Sequence, residues 1–404
     1  MLVTRILGDC PGCGSKNRFG NVSVRGDHVL RGCMSCKYST TVWLPEVRKK
    51  IVYLDQFFFS GAFRAGERRF VEAAQRIRHL SSLQLMVVPF SSIHEDETHQ
   101  WRGYGGKNKE DLMEFIKATS RGHEFEPAYD VEQTQIVRAF QAFLAGGSPE
   151  FTLEERDAVE GDIHKWDDYF RIDVGRYMGD IELIRDLKRQ SIEALVDIFE
   201  GWRQSNNTFD QDVTLEIQVA GKGYLDSYFT YAARVAGGDY SALFDSPIMS
   251  MVVQSMLYCF PEGAPPEERL KQVARFFISE HFAKIPYHWL STKMYATLKD
   301  MVKRGAYTNR ENALQRLSGF FQDVKHIATY APYCDAFVMD QPMAALVADP
   351  RVGLEDRYRV KVFSLNNWDE LFEWLDTLEA GMSEEHKAGM LAAYPKTIRS
   401  ENTI

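Results

Sequence analysis

Two kinds of residue in this chain are placed to do chemistry. Cys10-Pro-Gly-Cys13 and Cys33-Met-Ser-Cys36 form two CxxC turns separated by nineteen residues. Each turn can aim two thiolates at one ion, so the pair completes a tetrahedral shell of four sulfurs, the ligand set of a structural zinc site. Iron held by the same four thiolates is the alternative. The second kind is carboxylate. The apolar run Ile51 to Leu54 ends in Asp55, and Ala336 to Met339 ends in Asp340. Two further stretches, Leu83 to Thr98 and Phe320 to Asp340, carry Glu95, Glu97, Asp323 and Asp335. Carboxylates that converge bind hard cations through oxygen, and Mg²⁺ takes one or two of them together with waters and a substrate phosphate. Two such ions about 3.5 to 4 Å apart can activate a water and stabilise the leaving oxygen of a phosphodiester.

The elements that must position these groups are readable from pattern. Short runs of β-branched and aromatic residues, such as Ile51–Leu54 and Leu83–Val88, read as strands buried on both faces of a parallel sheet. The stretch between them, Arg68 to Leu80, places Phe70, Ala73, Ala74, Ile77 and Leu80 on one helical face, giving strand-helix-strand. A carboxylate closing a strand of an open α/β sheet stands at the edge where ligands bind. After Val88, Ser91 can cap a helix whose first turns hold the acids. From about Trp101 to Phe320 the chain changes to helical spacing punctuated by Gly146-Gly147, Gly237-Gly238 and Pro265-Pro266. Ser148-Pro149 and Ser246-Pro247 fit an N-cap followed by proline at the first helical position. Asp162, Asp167, Asp168 and Asp173 are expected on a solvated helix face. A helix from Asn309 to Tyr330 leads back to strands at Ala336–Met339 and Val360–Leu365, with a last helix at Asn366–Leu378 and a tail expected to fray after Ser383.

The expected fold class is therefore α/β, with helices on both faces of a parallel sheet, a large all-α insertion and a small N-terminal metal module. The expected boundaries are 1–48, 49–100, 101–308, 309–380 and 381–404. The 404 residues suffice for an ample core, and 45% hydrophobic with 26% charged residues is ordinary for a globular chain. No apolar run reaches the roughly 18 residues that span a bilayer, and no signal peptide is legible. No membrane is expected, and the cytoplasm is the default location. There, paired CxxC turns argue for metal over disulfides. The formal net charge of −9 is uneven: residues 1–50 hold nine Lys and Arg against three acids, a balance of +6, which leaves −15 for the rest. If any part of the chain touches nucleic acid by simple electrostatics, it is the N-terminal module. Cys259 and Cys334 read as buried small hydrophobes, and His326 as a packed helix residue.

Two resemblances follow from these motifs. The CxxC turns, with alternating strands at Phe19–Arg25, His28–Gly32 and Lys37–Leu44, resemble a zinc ribbon. The order strand-Asp55, Ser91-x5-Glu97, Asp323-x3-Ile-Ala and strand-Asp340 resembles a PIN domain, the fold of many metal-dependent ribonucleases and toxin nucleases. The stretch D-x2-H-I-A-x3-P-Y-C-D-x-F-V-x-D is similar to PIN-like proteins met in bacterial defence genes. The resemblance implies an acidic quartet of Asp55, Glu97, Asp323 and Asp340 binding Mg²⁺ or Mn²⁺, with Asp335 a fifth member and Glu95 the alternative to Glu97. It implies a nuclease acting on nucleic acid, RNA favoured, with a regulatory protein partner where it serves as a toxin or anti-phage effector. The competing expectation is a non-catalytic adaptor that uses ribbon and helices for contacts. A haloacid-dehalogenase phosphatase would need a second Asp two residues after the first, where Phe57 stands.

Overall fold

The structure is a computed structural model and describes residues 1–167, 181–243 and 248–395. Strands β1 (Arg5–Gly8), β2 (Phe19–Gly26), β3 (His28–Cys33) and β4 (Ser39–Trp43) form an antiparallel sheet in sequence order. Its register places Phe19 opposite Cys33, so the second CxxC turn emerges beside the first.

β5 (Lys50–Leu54), α1 (Gln56–Arg64), α2 (Arg68–Ser82), β6 (Met86–Val87) and α3 (Ser92–His99) follow. The expected strand Leu83–Val88 pairs over only two residues, because Leu83 closes α2 and Gln84 takes a left-handed turn at φ 61°. The helical insertion comprises α4 (Lys109–Thr119), α5 (Ala128–Leu144), α6 (Ile181–Asp197), α7 (Phe199–Gln204), α8 (Phe209–Ala236), α9 (Ile248–Leu257), α10 (Pro266–Phe277), α11 (Glu280–Ala283), α12 (Pro286–Lys303) and α13 (Arg310–Arg316). It is interrupted by β7 (Trp166–Asp167), which pairs with β2 of the N-terminal sheet. The chain then returns through α14 (Phe320–Tyr330), β8 (Ala336–Val338), α15 (Gln341–Val347), α16 (Leu354–Tyr358), β9 (Lys361–Phe363), α17 (Trp368–Ala380) and α18 (Glu384–Ala393).

The second sheet is parallel throughout, in the order β6-β5-β8-β9. Alternation along its central strands divides two cores. Ile51, Tyr53 and Phe337 face one core with α12 and α14. Val52, Leu54, Ala336 and Val338 face the other with α1, α2 and α17. The sheet is therefore covered on both faces, as the uninterrupted apolar runs require. A third core lies inside the insertion around Phe140, Val253, Phe276 and Phe282. Among the described residues no helix is long and apolar enough to cross a membrane.

Four expectations need correction. Ser148-Pro149 starts no helix: the Ser148 hydroxyl accepts from the Glu150 amide within a loop. Asn309–Tyr330 is two helices, broken at Gly319, where a side-chain Cβ would lie 3.0 Å from the Asp323 carboxylate. Asp162 lies in a loop paired with Lys165, and Asp167 in β7, so neither is on a helix. Residues after Ser383 do not fray at once, since α18 buries Met390 and Ala393. Asp168, Asp173 and Ser246-Pro247 lie outside the described residues.

Candidate metal centre and acidic site

The Cys10 sulfur lies 3.7 Å from that of Cys36, and the Cys13 sulfur 3.8 Å from that of Cys33. Sulfurs held tetrahedrally at about 2.3 Å from one zinc ion stand roughly 3.8 Å apart. The four ligating atoms all fall within 4.8 Å of one another. The amides of Gly12, Ser35 and Tyr38 point at the sulfurs of Cys10, Cys33 and Cys36, at 3.3, 3.2 and 3.4 Å. These N–H groups stabilise thiolate charge, so the site fits a metal such as zinc.

The second site is built at the C-terminal edge of the parallel sheet. Asp55 follows β5 and caps α1, accepting from the Gln56 amide at 2.7 Å. Asp340 follows β8 and caps α15, accepting from the Met343 amide at 2.9 Å. Each carboxylate thus spends one oxygen on a helix N-terminus and keeps the other. Because β5 and β8 run parallel in register, Leu54 opposite Val338, their terminal acids share one edge. Asp323 enters from the first turn of α14.

Glu97 is delivered by α3, and two bonds set the pose of that helix. His94 donates from Nε2 to the Leu54 carbonyl at 2.8 Å, while its Nδ1 accepts from the Ser91 amide at 3.0 Å. Gln56 donates to Thr98 Oγ1 at 3.0 Å. The residues on either side of Asp55 are thereby tied to those on either side of Glu97. His94 is fully buried, and its pKa is pushed down to about 4, so it stays neutral and keeps this tautomer.

The charges of these acids act on Asp55 and Asp323. Burial first, then the charges of Glu97 and Asp340, raise Asp55 well above the ordinary carboxylate range. Asp323 is raised well above it by burial and then by Asp55, Glu97 and Asp340. Burial pushes Glu97 up to about 7 and also raises Asp340. Among the described residues, Lys188 of α6 opposes this and favours the charged forms of Glu97 and Asp323. Arg185, one turn earlier, donates to the Gln100 carbonyl at 2.7 Å and anchors α6 over the end of α3. Ile192 and Leu195 are buried on the same helical face, so Lys188 is directed at the acids.

Asp55 and Asp323 also line a cavity of about 10 Å³ with His326, Met339 and Met343. His326 is fully buried, bonded through Nδ1 to the Tyr53 hydroxyl, and its Nε2 has no partner. Burial, followed by His94, Lys325 and Lys188, holds its pKa well below the ordinary value, so it is a neutral packed residue. Among the described residues only the cysteines bring three or more ligating atoms within 4.8 Å of one another. The carboxylates are more widely spread. A hard cation there would take one or two of them at a time, completing its shell with water or phosphate.

Asp335 does not join this cluster. It precedes β8, accepts from the Ile51 amide at 2.9 Å and pairs with Lys50 at 2.7 Å, at the N-terminal edge of the sheet. A parallel strand advances about 3.3 Å per residue, so Asp335 and Asp340 lie at opposite edges of the sheet. Glu95 turns toward α4, 3.6 Å from Lys117, and Glu97 is the α3 acid that reaches the cluster. His94 and Lys188 were not legible as site residues. The first needs the Leu54 carbonyl in space, and the second sits in a charged helix like many others.

Comparison with protein-family models, with curated proteins and with solved structures finds no match.

Proposed function

We propose that the protein is a Mg²⁺- or Mn²⁺-dependent nuclease of PIN-like type, acting preferentially on RNA, with Asp55, Glu97, Asp323 and Asp340 as its metal-binding acids. The observation that carries this reading is the gathering of four recessed carboxylates, from distant parts of the chain, at one sheet edge, where the charges of Glu97 and Asp340 add to burial in raising the pKa of Asp55 and Asp323. Like charges held together against their own repulsion are a mark of function over stability. Oxygen donors of this kind suit a hard cation, which when bound would supply charge neutralisation and an activated water for phosphodiester hydrolysis.

The chain's own contributions are positional. Asp55 and Asp340 are fixed by their capping bonds, and Glu97 by the His94 and Gln56 tethers. Lys188 stands where it can donate to a non-bridging phosphate oxygen. Exposed Lys16, Arg18 and Lys37 beside Tyr38 on the cysteine knuckles suit attraction of a nucleic-acid backbone. The cleft of about 1060 Å³ between ribbon and body suits it less, because Arg48 and Lys165 there are paired with Glu155 and Asp162.

The test is cleavage of labelled single-stranded RNA and DNA with Mg²⁺, with Mn²⁺ and with neither. Expected is metal-dependent cutting, faster on RNA. A folded, zinc-loaded protein that cuts neither strand in any metal would overturn the nuclease reading.

A second reading, an adaptor that docks a partner protein, is favoured by one observation. β4 is an edge strand with Ser39, Thr40 and Thr41 exposed, and Trp43 is 71% exposed. An open strand edge is a template for a partner's strand. The two readings are compatible if the partner restrains the enzyme.

A further inference from the structure

We propose that a cavity of about 650 Å³ between the helical insertion and α14 is a binding site for a guanine nucleoside or nucleotide. This size is in the range of small-molecule sites. Trp202, Tyr287, Tyr295 and Phe321 line it, from α7, α12 and α14. Walls of this kind accept a flat ring system by stacking and bury it without leaving polar groups unpaired.

The polar side of the cavity selects among flat ligands. Glu132 of α5 reaches it, accepting a hydrogen bond from the Tyr224 hydroxyl through Oε1. The Tyr224 ring is itself buried, and fully buried His288 lies 3.5 Å from its hydroxyl through Nε2. A carboxylate is an acceptor only, so the ligand must bring donors to it. Guanine offers two adjacent donors, N1–H and the N2 amino group, which match Glu132 Oε2 and the second lone pair of Oε1, the first being taken by Tyr224. Adenine would set an N1 lone pair against it. The other acid, Glu216, is committed to Lys299 at 2.5 Å and leaves Glu132 as the reader. Lys325 of α14 also lines the cavity and provides a cation for a ribose phosphate.

The position of Lys325 gives the site a consequence. α14 carries Asp323 toward the acidic cluster and Lys325 toward the cavity, so one helix forms a wall of both. A nucleotide held by Lys325 would bear on the helix that sets Asp323. Binding itself does not depend on the nuclease reading and can be measured without it.

The experiment is calorimetric titration of the full chain with guanosine and GMP, against adenosine and AMP. Guanosine should bind, with adenosine at least about tenfold weaker, since a site built to pair donors rejects the analogue lacking them. Glu132→Gln should weaken guanosine by roughly ten- to a hundredfold, and Ala220→Trp, which fills the cavity from α8, should abolish binding. Thermal melts of both variants serve as the folding control. Absence of binding by all four compounds, equal binding of adenosine and guanosine, or unchanged affinity in a folded Glu132→Gln protein would each overturn the proposal.

Discussion

The acids at the sheet edge are individually costly. A carboxylate whose folded pKa lies above its unfolded value costs no stability below the unfolded value, near pH 4, and its full cost above the folded one. For Glu97 that window runs from about 4 to about 7. In Mg²⁺- and Mn²⁺-free buffer without chelator, Glu97→Gln should melt higher than the wild type at pH 8, and the difference should shrink as pH falls toward 5. Melting curves across pH check this, and a difference that does not change with pH would contradict it. Saturating Mn²⁺ at pH 8 should raise the wild-type melting temperature, since a ligand at 100 times its Kd stabilises by about 2.7 kcal/mol. Asp55 and Asp340 were legible because each closes a readable strand. The choice of Glu97 over Glu95 was not, because residues two apart on a helix point to nearly opposite sides and only the pose of α3 decides between them.

That pose rests on tethers between elements. Because His94 joins α3 to the end of β5, His94→Ala should leave the ligands in place but loosen Glu97. The expected loss of cleavage is about 10- to 100-fold, the usual effect of removing an outer-shell partner, with zinc content unchanged in a metal assay. Wild-type rates would show that α3 holds its place by other means. The strands and most helices were legible because apolar runs and helical faces are local properties. The break at Gly319 was not, since neither Ser318 nor Gly319 forbids a helix; what it allows is room for Asp323. Asp335 and Asp340 look like neighbours in the sequence, yet the strand between them sends them to opposite edges.

Across the whole molecule the N-terminal cysteine module is part of the body and not an appendage. Val24, Val29, Leu44 and Val47 lie in the core that covers one face of the parallel sheet. α18 completes the joint: Asn21 donates to the carbonyls of Ala392 and Ala393 at 2.9 and 3.0 Å, and Arg5 lies over the Tyr394 ring. Gly389 lets α18 approach Trp166, since a Cβ there would meet the indole at 2.7 Å. Gly389→Val should therefore cost about 1–3 kcal/mol through overpacking and speed proteolysis of residues 1–48. An unchanged melting temperature would show that the joint is loose. None of this was legible, because docking of α18 depends on partners hundreds of residues away.

The most direct measurement compares Asp55→Asn with Asp335→Asn, side by side with wild type, in Mn²⁺-dependent cleavage of single-stranded RNA. The two acids flank the same sheet at opposite edges, and melting curves report on the fold of each variant. Expected is a loss of at least roughly two orders of magnitude for Asp55→Asn and near wild-type rates for Asp335→Asn. Full activity in a folded Asp55→Asn protein, or loss in Asp335→Asn alone, would contradict an active site at the C-terminal edge of the sheet.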